Sequence, residues 1–230
     1  MARMREINAE LSTLQQKFGN NLLAETNAFK LVLESEEDLA GLPEAVRTAA
    51  AEAAKAEGLE GKWVIGLQNP SRIPFLQYSE RRDLREKVYK AYIERGNNGN
   101  ENDNKEIVLQ IMKLRIEKAN LLGFETSADF ILDDTMAKKS DVVNSFLLDI
   151  FKAANEKAKA ELAEMQAIAD REGNGVKVEA WDWDYYTEKV RQEKYAMSED
   201  EIKPYFQMEN VRAGMFALAN RLYGLNFEKL

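Results

Sequence analysis

Ser140-Asp-Val-Val-Asn-Ser-Phe-Leu-Leu-Asp-Ile-Phe-Lys-Ala-Ala-Asn-Glu-Lys-Ala158 decides the fold class. Val143, Phe146, Leu147, Ile150, Phe151, Ala154 and Ala158 recur three and four residues apart, the period of a helix with one apolar face. The pattern starts at Ser140 and runs to near Gly173, the longest in the chain. The rest reads the same way. With 4 prolines and 12 glycines in 230 residues, the breakers only punctuate long helical runs. The expected fold is mainly α with a minor β element.

Working outward, a first helix is predicted over about residues 3–34, carried by Leu11, Leu14, Phe18, Leu22, Phe29 and Leu33. Pro43 suits a helix N1 position, and the Ala-rich run 44–57 ends at Gly58, a C′ residue. Lys62-Trp-Val-Ile-Gly-Leu67 is the one convincing strand, short, apolar and bounded by Gly61 and Asn69-Pro70. Val176-Lys-Val178 is a weak second candidate. A lone strand leaves backbone groups unpaired, so its partner is expected outside this chain. A charged helix over about 74–95 buries Leu84, Val88, Tyr92 and Ile93. Asp103 with Glu106, and Ser198 with Glu201, read as capping boxes. A short helix follows Thr126. A last helix carries Val211, Met215, Leu218, Ala219 and Leu222, with Gly224 at its C-cap. No repeat or linker divides the chain, so 1–230 is expected to be one helical segment, with the Asn/Gly loop at 96–104 as its one seam.

Composition narrows the chemistry. Apolar residues make up 45% and charged residues 31%, the balance of a globular chain rather than a disordered one. A net charge of −8 argues against binding nucleic acid through its phosphates. No apolar run approaches the roughly 18 residues of a membrane span. The N-terminus enters an amphipathic helix directly, unlike a secretory signal. There is no cysteine, hence no disulfide, thiol nucleophile or thiolate metal site, and a cytosolic setting is compatible. There is also no histidine, which removes every His-based triad and zinc site.

Four features invite a sharper reading. Glu34, Glu36, Glu37 and Asp38, like Asp133-Asp134, are read as solvated helix ends. Asn100-Glu-Asn-Asp-Asn104 has the flavour of a calcium loop but lacks its central glycine and terminal bidentate glutamate, so it reads as a polar turn. Arg81, Arg82, Arg85, Lys87, Lys90 and Arg95 interleave with Glu80, Asp83, Glu86 and Glu94, as on a solvated helix face. Trp181-Asp-Trp-Asp-Tyr-Tyr186 is the most unusual hexapeptide. It suits ligand stacking, hydrogen bonding or plain packing, with Asp182 or Asp184 capping a helix start while the aromatics face the core.

Several of these stretches together resemble one family. They are Arg5-Glu-Ile-Asn-Ala-Glu-Leu-Ser-Thr-Leu-Gln-Gln-Lys-Phe-Gly-Asn-Asn-Leu-Leu-Ala-Glu-Thr-Asn27, then Leu42-Pro43, Lys62 to Pro70, and Ser79 to Arg85. Trp181-Asp182 through Tyr185-Tyr186, Lys194-Tyr195, Tyr205-Phe206 and Gly214 complete the set. In order and spacing the chain resembles the thimet oligopeptidase family of zinc metallopeptidases, in its bacterial peptidyl-dipeptidase (dipeptidyl carboxypeptidase) and oligopeptidase A branch.

The resemblance implies a helical segment of a two-lobed, neurolysin-like zincin fold around a deep channel that admits short peptides. It also implies zinc in the full-length parent, held by a His-Glu-x-x-His helix whose glutamate is the general base. That motif lies C-terminal to the Tyr205-Phe206 region in the family, and this chain ends at Leu230 without it. The expectation is therefore a middle segment with no catalytic and no metal residues, and no cofactor of its own. Trp181, Trp183, Tyr185 and Tyr186 are the candidates for contact with the substrate channel. The implied partners are the parent's catalytic half and its short peptide substrates, with neither nucleic acid nor membrane. The implied compartment is cytoplasmic, or periplasmic. A segment cut from such a fold exposes apolar surface and is expected to self-associate. A free-standing helical peptide-binding or scaffold protein is the alternative.

Overall fold

A computed structural model describes residues 2–173, 175–196 and 202–228. The chain forms two compact units, residues 1–187 and 188–230.

In the first unit, helix α1 (Ala2–Ala28) packs along α5 (Lys105–Leu121). Ile7 and Leu11 meet Ile107, Ile111 and Leu114 in a buried seam, with Leu14 and Phe18 at its margin. Arg3 closes one end, donating to Glu117 through Nε at 2.6 Å and Nη2 at 2.8 Å.

The first helix is six residues shorter at its C-terminus than the periodicity predicts. The chain leaves the helix after Ala28, and Leu31–Leu33 form strand β1. It pairs antiparallel with β2 (Trp63–Ile65), in the register Leu31 to Ile65 and Leu33 to Trp63. The strand at 63–65 therefore has its partner inside the chain, contrary to the expectation that it lay outside. Phe29 and Leu33 sit at helical spacing, but Leu31 and Leu33 also alternate with period two. A short apolar run does not distinguish the two by itself, and here the pairing with β2 decides. Val176–Val178, the weaker candidate, is not a strand.

Around the sheet lies the main core. Leu33, Leu39, Leu42, Ile65, Leu67 and Phe75 are all buried, drawn from the sheet, a 3-10 turn (Glu36–Leu39), the loops and α3 (Asn69–Tyr78). Helix α2 (Glu44–Ala56) adds Ala50. Gly41 makes the tight return. Its φ is +80°, and a Cβ there would stand 2.2 Å from the Tyr78 carbonyl oxygen. Glu80 N–H donates to the Ala40 carbonyl at 2.9 Å, holding the two turns together.

The single helix predicted over 74–95 is two. Helix α3 ends at Tyr78, and α4 (Arg82–Ile93) starts after a break at the fully buried Ser79. Leu84 and Val88 are buried as expected and Tyr92 partly so, but Ile93 is 56% exposed. Thr126 caps α6 (Ser127–Leu132), its Oγ1 accepting from Asp129 N–H at 3.1 Å. Helix α7 (Ser140–Arg171) follows. The chain then returns over its C-terminal end. The Gln166 amide donates to the Val176 carbonyl at 2.8 Å and accepts from Val178 N–H at 2.9 Å. A 3-10 turn (Ala180–Asp182) leads into α8 (Trp183–Tyr195).

The second unit holds the end of α8, a 3-10 turn (Lys203–Phe206) and α9 (Met208–Tyr223). Gly224 ends α9 in the left-handed conformation, as expected of a C-cap glycine, and Phe227 stacks on Phe216 at 4.4 Å. Val211, Met215, Leu218 and Leu222 form the foreseen stripe, and all four are exposed. Ser198 and Glu201, the second expected capping box, lie outside the described residues.

Candidate functional site

The unusual hexapeptide and the basic helix meet. Asp182 is 0% exposed, at the end of the 3-10 turn that precedes α8. Its carboxylate accepts from Glu179 N–H at 3.1 Å, as the N3 partner in a capping box whose N-cap is Glu179, rather than as the N-cap of a helix. It also receives two guanidinium groups from α4. Arg82 donates through Nε at 3.0 Å and Nη2 at 2.9 Å, and Arg85 through Nη2 at 2.7 Å. Arg85 is only 2% exposed and spends Nη1 on the Ser79 carbonyl at 2.6 Å. This corrects the reading of the α4 cations as a solvated face. Lys90 does pair with Glu86 on the exposed side, four residues apart, whereas Arg82 and Arg85 reach across about a hundred residues to one buried acid. A charge is not buried unless paired, so the pairing is what permits Arg85 inside.

The aromatics close around these ions. The Arg85 guanidinium lies 4.0 Å from the centroid of the Tyr185 ring, and Tyr185 meets Tyr186 edge-on at 5.2 Å. Trp181 has Arg82 at 5.4 Å, Lys90 at 5.1 Å and the edge of Tyr89 at 6.5 Å. Its buried Nε1 has no hydrogen-bond partner among the described residues. Tyr186 is 3% exposed, its hydroxyl 3.4 Å from Glu172. Burial, then the negative charges of Glu172 and Asp182, push its phenol above the ordinary range. Trp181, Trp183 and Tyr185 keep part of their surface open.

The contacts of this arrangement are those of a positioning cluster. Both oxygens of Asp182 are committed to protein donors, the two guanidinium groups and the Glu179 N–H. Tyr186 stays protonated and is no nucleophile. The sequence holds neither histidine nor cysteine, and among the described residues no group of three or more His, Cys, Asp or Glu side chains could hold a metal. The described residues do not fit a zinc centre.

A second buried acid was not foreseen. Glu25 on α1 accepts from Gly96 N–H at 2.5 Å and from the amides of Asn98 and Asn100, each at 2.8 Å. Asn104 continues the clasp, accepting from Asn21 at 2.9 Å and donating to the Phe18 carbonyl at 3.1 Å. Loop 96–104 thus lies within the first unit, wrapped onto α1. Its asparagines serve a carboxylate as donors, which agrees with the polar turn and not with a cation loop. The capping box expected of Asp103 and Glu106 does not form. Asn104 is the N-cap of α5, and Asp103 instead accepts from Gly99 N–H at 2.8 Å and Lys105 N–H at 2.9 Å. Of the acidic clusters, Asp38 pairs with Arg81 and Glu34 with Lys62.

Comparison with known proteins gives this frame an identity. The model of peptidase family M3 matches residues 75–230, more than half of the chain. The chain belongs to peptidase family M3. Dipeptidyl carboxypeptidase of Escherichia coli K12 is 37% identical over 227 residues, 98% of this chain and 33% of that protein. Oligopeptidase A of Haemophilus influenzae is 36% identical over 97% of this chain and 33% of its own length. Saccharolysin of Saccharomyces cerevisiae is 26% identical over 98% of this chain and 32% of its own. The M3 chain therefore spans about a third of the curated relatives it matches. Among the described residues, no helix is long and apolar enough to cross a membrane.

Proposed function

We propose that this M3 chain is a non-catalytic part of a zinc-dependent peptidase that hydrolyses short peptides, of the peptidyl-dipeptidase or oligopeptidase type. It would form part of the wall of the substrate channel within one lobe of a cytoplasmic enzyme. One observation carries the reading. Nearly all of the chain aligns with peptidases while covering a third of their length, and it holds neither histidine nor cysteine to ligate zinc. Zinc and the groups that polarise the peptide bond would come from the remainder of such a polypeptide.

Within the wall, Trp183 and Tyr185 are the side chains we assign to peptide contact. They retain part of their surface, as Trp181 also does, while the ions around Asp182 fix the backbone that carries them. Trp181, packed on Arg82 and Lys90, shares that edge, and the buried Tyr186 supports it. A second reading, a free-standing helical peptide binder, draws on the sheet that closes within the chain. Peptide hydrolysis by the pure chain, with and without a chelator, tests the first reading. Chelator-sensitive turnover would sink it. Saturable binding of short peptides without turnover, by a chain that needs no other polypeptide, would favour the second.

A further inference from the structure

Helix α7 is covered along one half and bare along the other. At its C-terminal end Met165, Ile168 and Ala169 are buried, at 4%, 6% and 0% exposure, beneath the returning segment. The same face continues toward the N-terminus as Phe146, Leu147, Ile150 and Phe151, and these are 64%, 54%, 49% and 62% exposed. At about 100° per residue, the apolar positions from Val142 to Phe151 fill an arc of about 180°, with only Leu148 outside it. A helix lying on a surface needs an apolar stripe of about 100°, and a two-helix seam needs less.

From this arc we infer that the N-terminal half of α7 is a docking element, inserted between helices of the remaining two-thirds of an M3 polypeptide. The inference rests on the reading of the chain as part of a peptidase, and names the face through which it joins the rest. A second copy of this chain fits less well. A two-fold contact lays one flank of α7 against itself and leaves the other flank in water. Helix α5 carries a further bare stripe, Val108, Leu109, Met112 and Ile116, on the side away from its seam with α1. Two bare stripes on separate helices call for a larger, multi-helix body, and the relatives carry about twice this length of additional chain.

The test is co-expression of the full chain with a tagged Escherichia coli oligopeptidase A from which the matching 227 residues have been removed. Two stripe variants, Leu147→Lys with Phe151→Lys and separately Phe146→Asp, are compared with Ser145→Lys and Lys152→Glu on the opposite face. Circular dichroism serves as the control for folding. The expected result is capture of the wild type and of the opposite-face variants, with recovery of both stripe variants lower by about tenfold or more. Equal capture of a folded stripe variant, no capture of the wild type, or a stripe-dependent dimer that excludes the tagged partner would each overturn the inference. A captured complex that cleaves no peptide would count against the functional reading and leave the docking face standing. Cleavage indifferent to the stripe would do the reverse.

Discussion

Asp182 is held between Arg82 and Arg85, and none of the three can be replaced alone without loss. Asp182→Asn leaves Arg85 with a buried, uncompensated charge, and is expected to destabilise the fold by about 3–5 kcal/mol. Replacing both partners, as Asp182→Leu with Arg85→Met, should recover most of that loss, because the cost lies in the unpaired ion. Urea midpoints of the two variants check both statements. Glu25 makes a pH prediction. Burial raises its pKa, but the hydrogen bonds from Gly96, Asn98 and Asn100 outweigh burial and bring it below the ordinary carboxylate value. Its contribution is therefore full above the unfolded value of about 4.3 and is lost as the pH falls through the lower folded one. Asp103, held at about 2 chiefly by Lys105, acts in the same direction. The clasp at 96–104 should open in acid, and Glu25→Gln should flatten that dependence in hydrogen exchange at Gly96. Arg85 had a legible signal: at helical spacing it falls inside the arc of Leu84, Val88, Tyr89 and Tyr92, where a cation demands a buried acid. Which acid answers it, nearly a hundred residues away, is not written locally. Glu25 carried no signal, since nothing in a helix pattern says which loop will fold over it.

At the scale of elements, glycine separates strain from collision. Gly41 and Gly58 both have positive φ, but a Cβ at Gly58 meets nothing within 4 Å while one at Gly41 strikes the Tyr78 carbonyl. Gly58→Ala should cost about 1–2 kcal/mol, the left-handed penalty alone. Gly41→Ala should cost about 2–5 kcal/mol, with the overlap added. Denaturant titration of the pair separates the two contributions. Most helices were legible, α7 and α9 from their periodic apolar positions, α2 from Pro43 and Gly58 at its ends, and α6 from Thr126 before it. The errors fall where local pattern was ambiguous. Strand β1 was absorbed into α1 because its leucines also fit a helix, and the break at Ser79 was missed because no proline or glycine marks it; there Arg85 donates to the Ser79 carbonyl.

For the whole molecule, composition spoke most plainly. A chain with no histidine and no cysteine lacks the nitrogen and sulfur ligands of the usual zinc centres, and that much is legible residue by residue. Membership of the M3 family was legible only from many markers in order, each weak alone. The bare faces of α5 and α7 were not legible, because periodicity reports that a face is apolar and not what covers it. The isolated chain is expected to associate through these faces. Sedimentation at increasing concentration should show species larger than a monomer, and a clean monomer throughout would mark the chain as self-sufficient. The most direct measurement is metal content and peptide turnover of the pure chain after incubation with zinc. Sub-stoichiometric zinc and no chelator-sensitive cleavage of short peptides are the expected result. One tightly held zinc per chain with chelator-sensitive turnover would contradict a non-catalytic role.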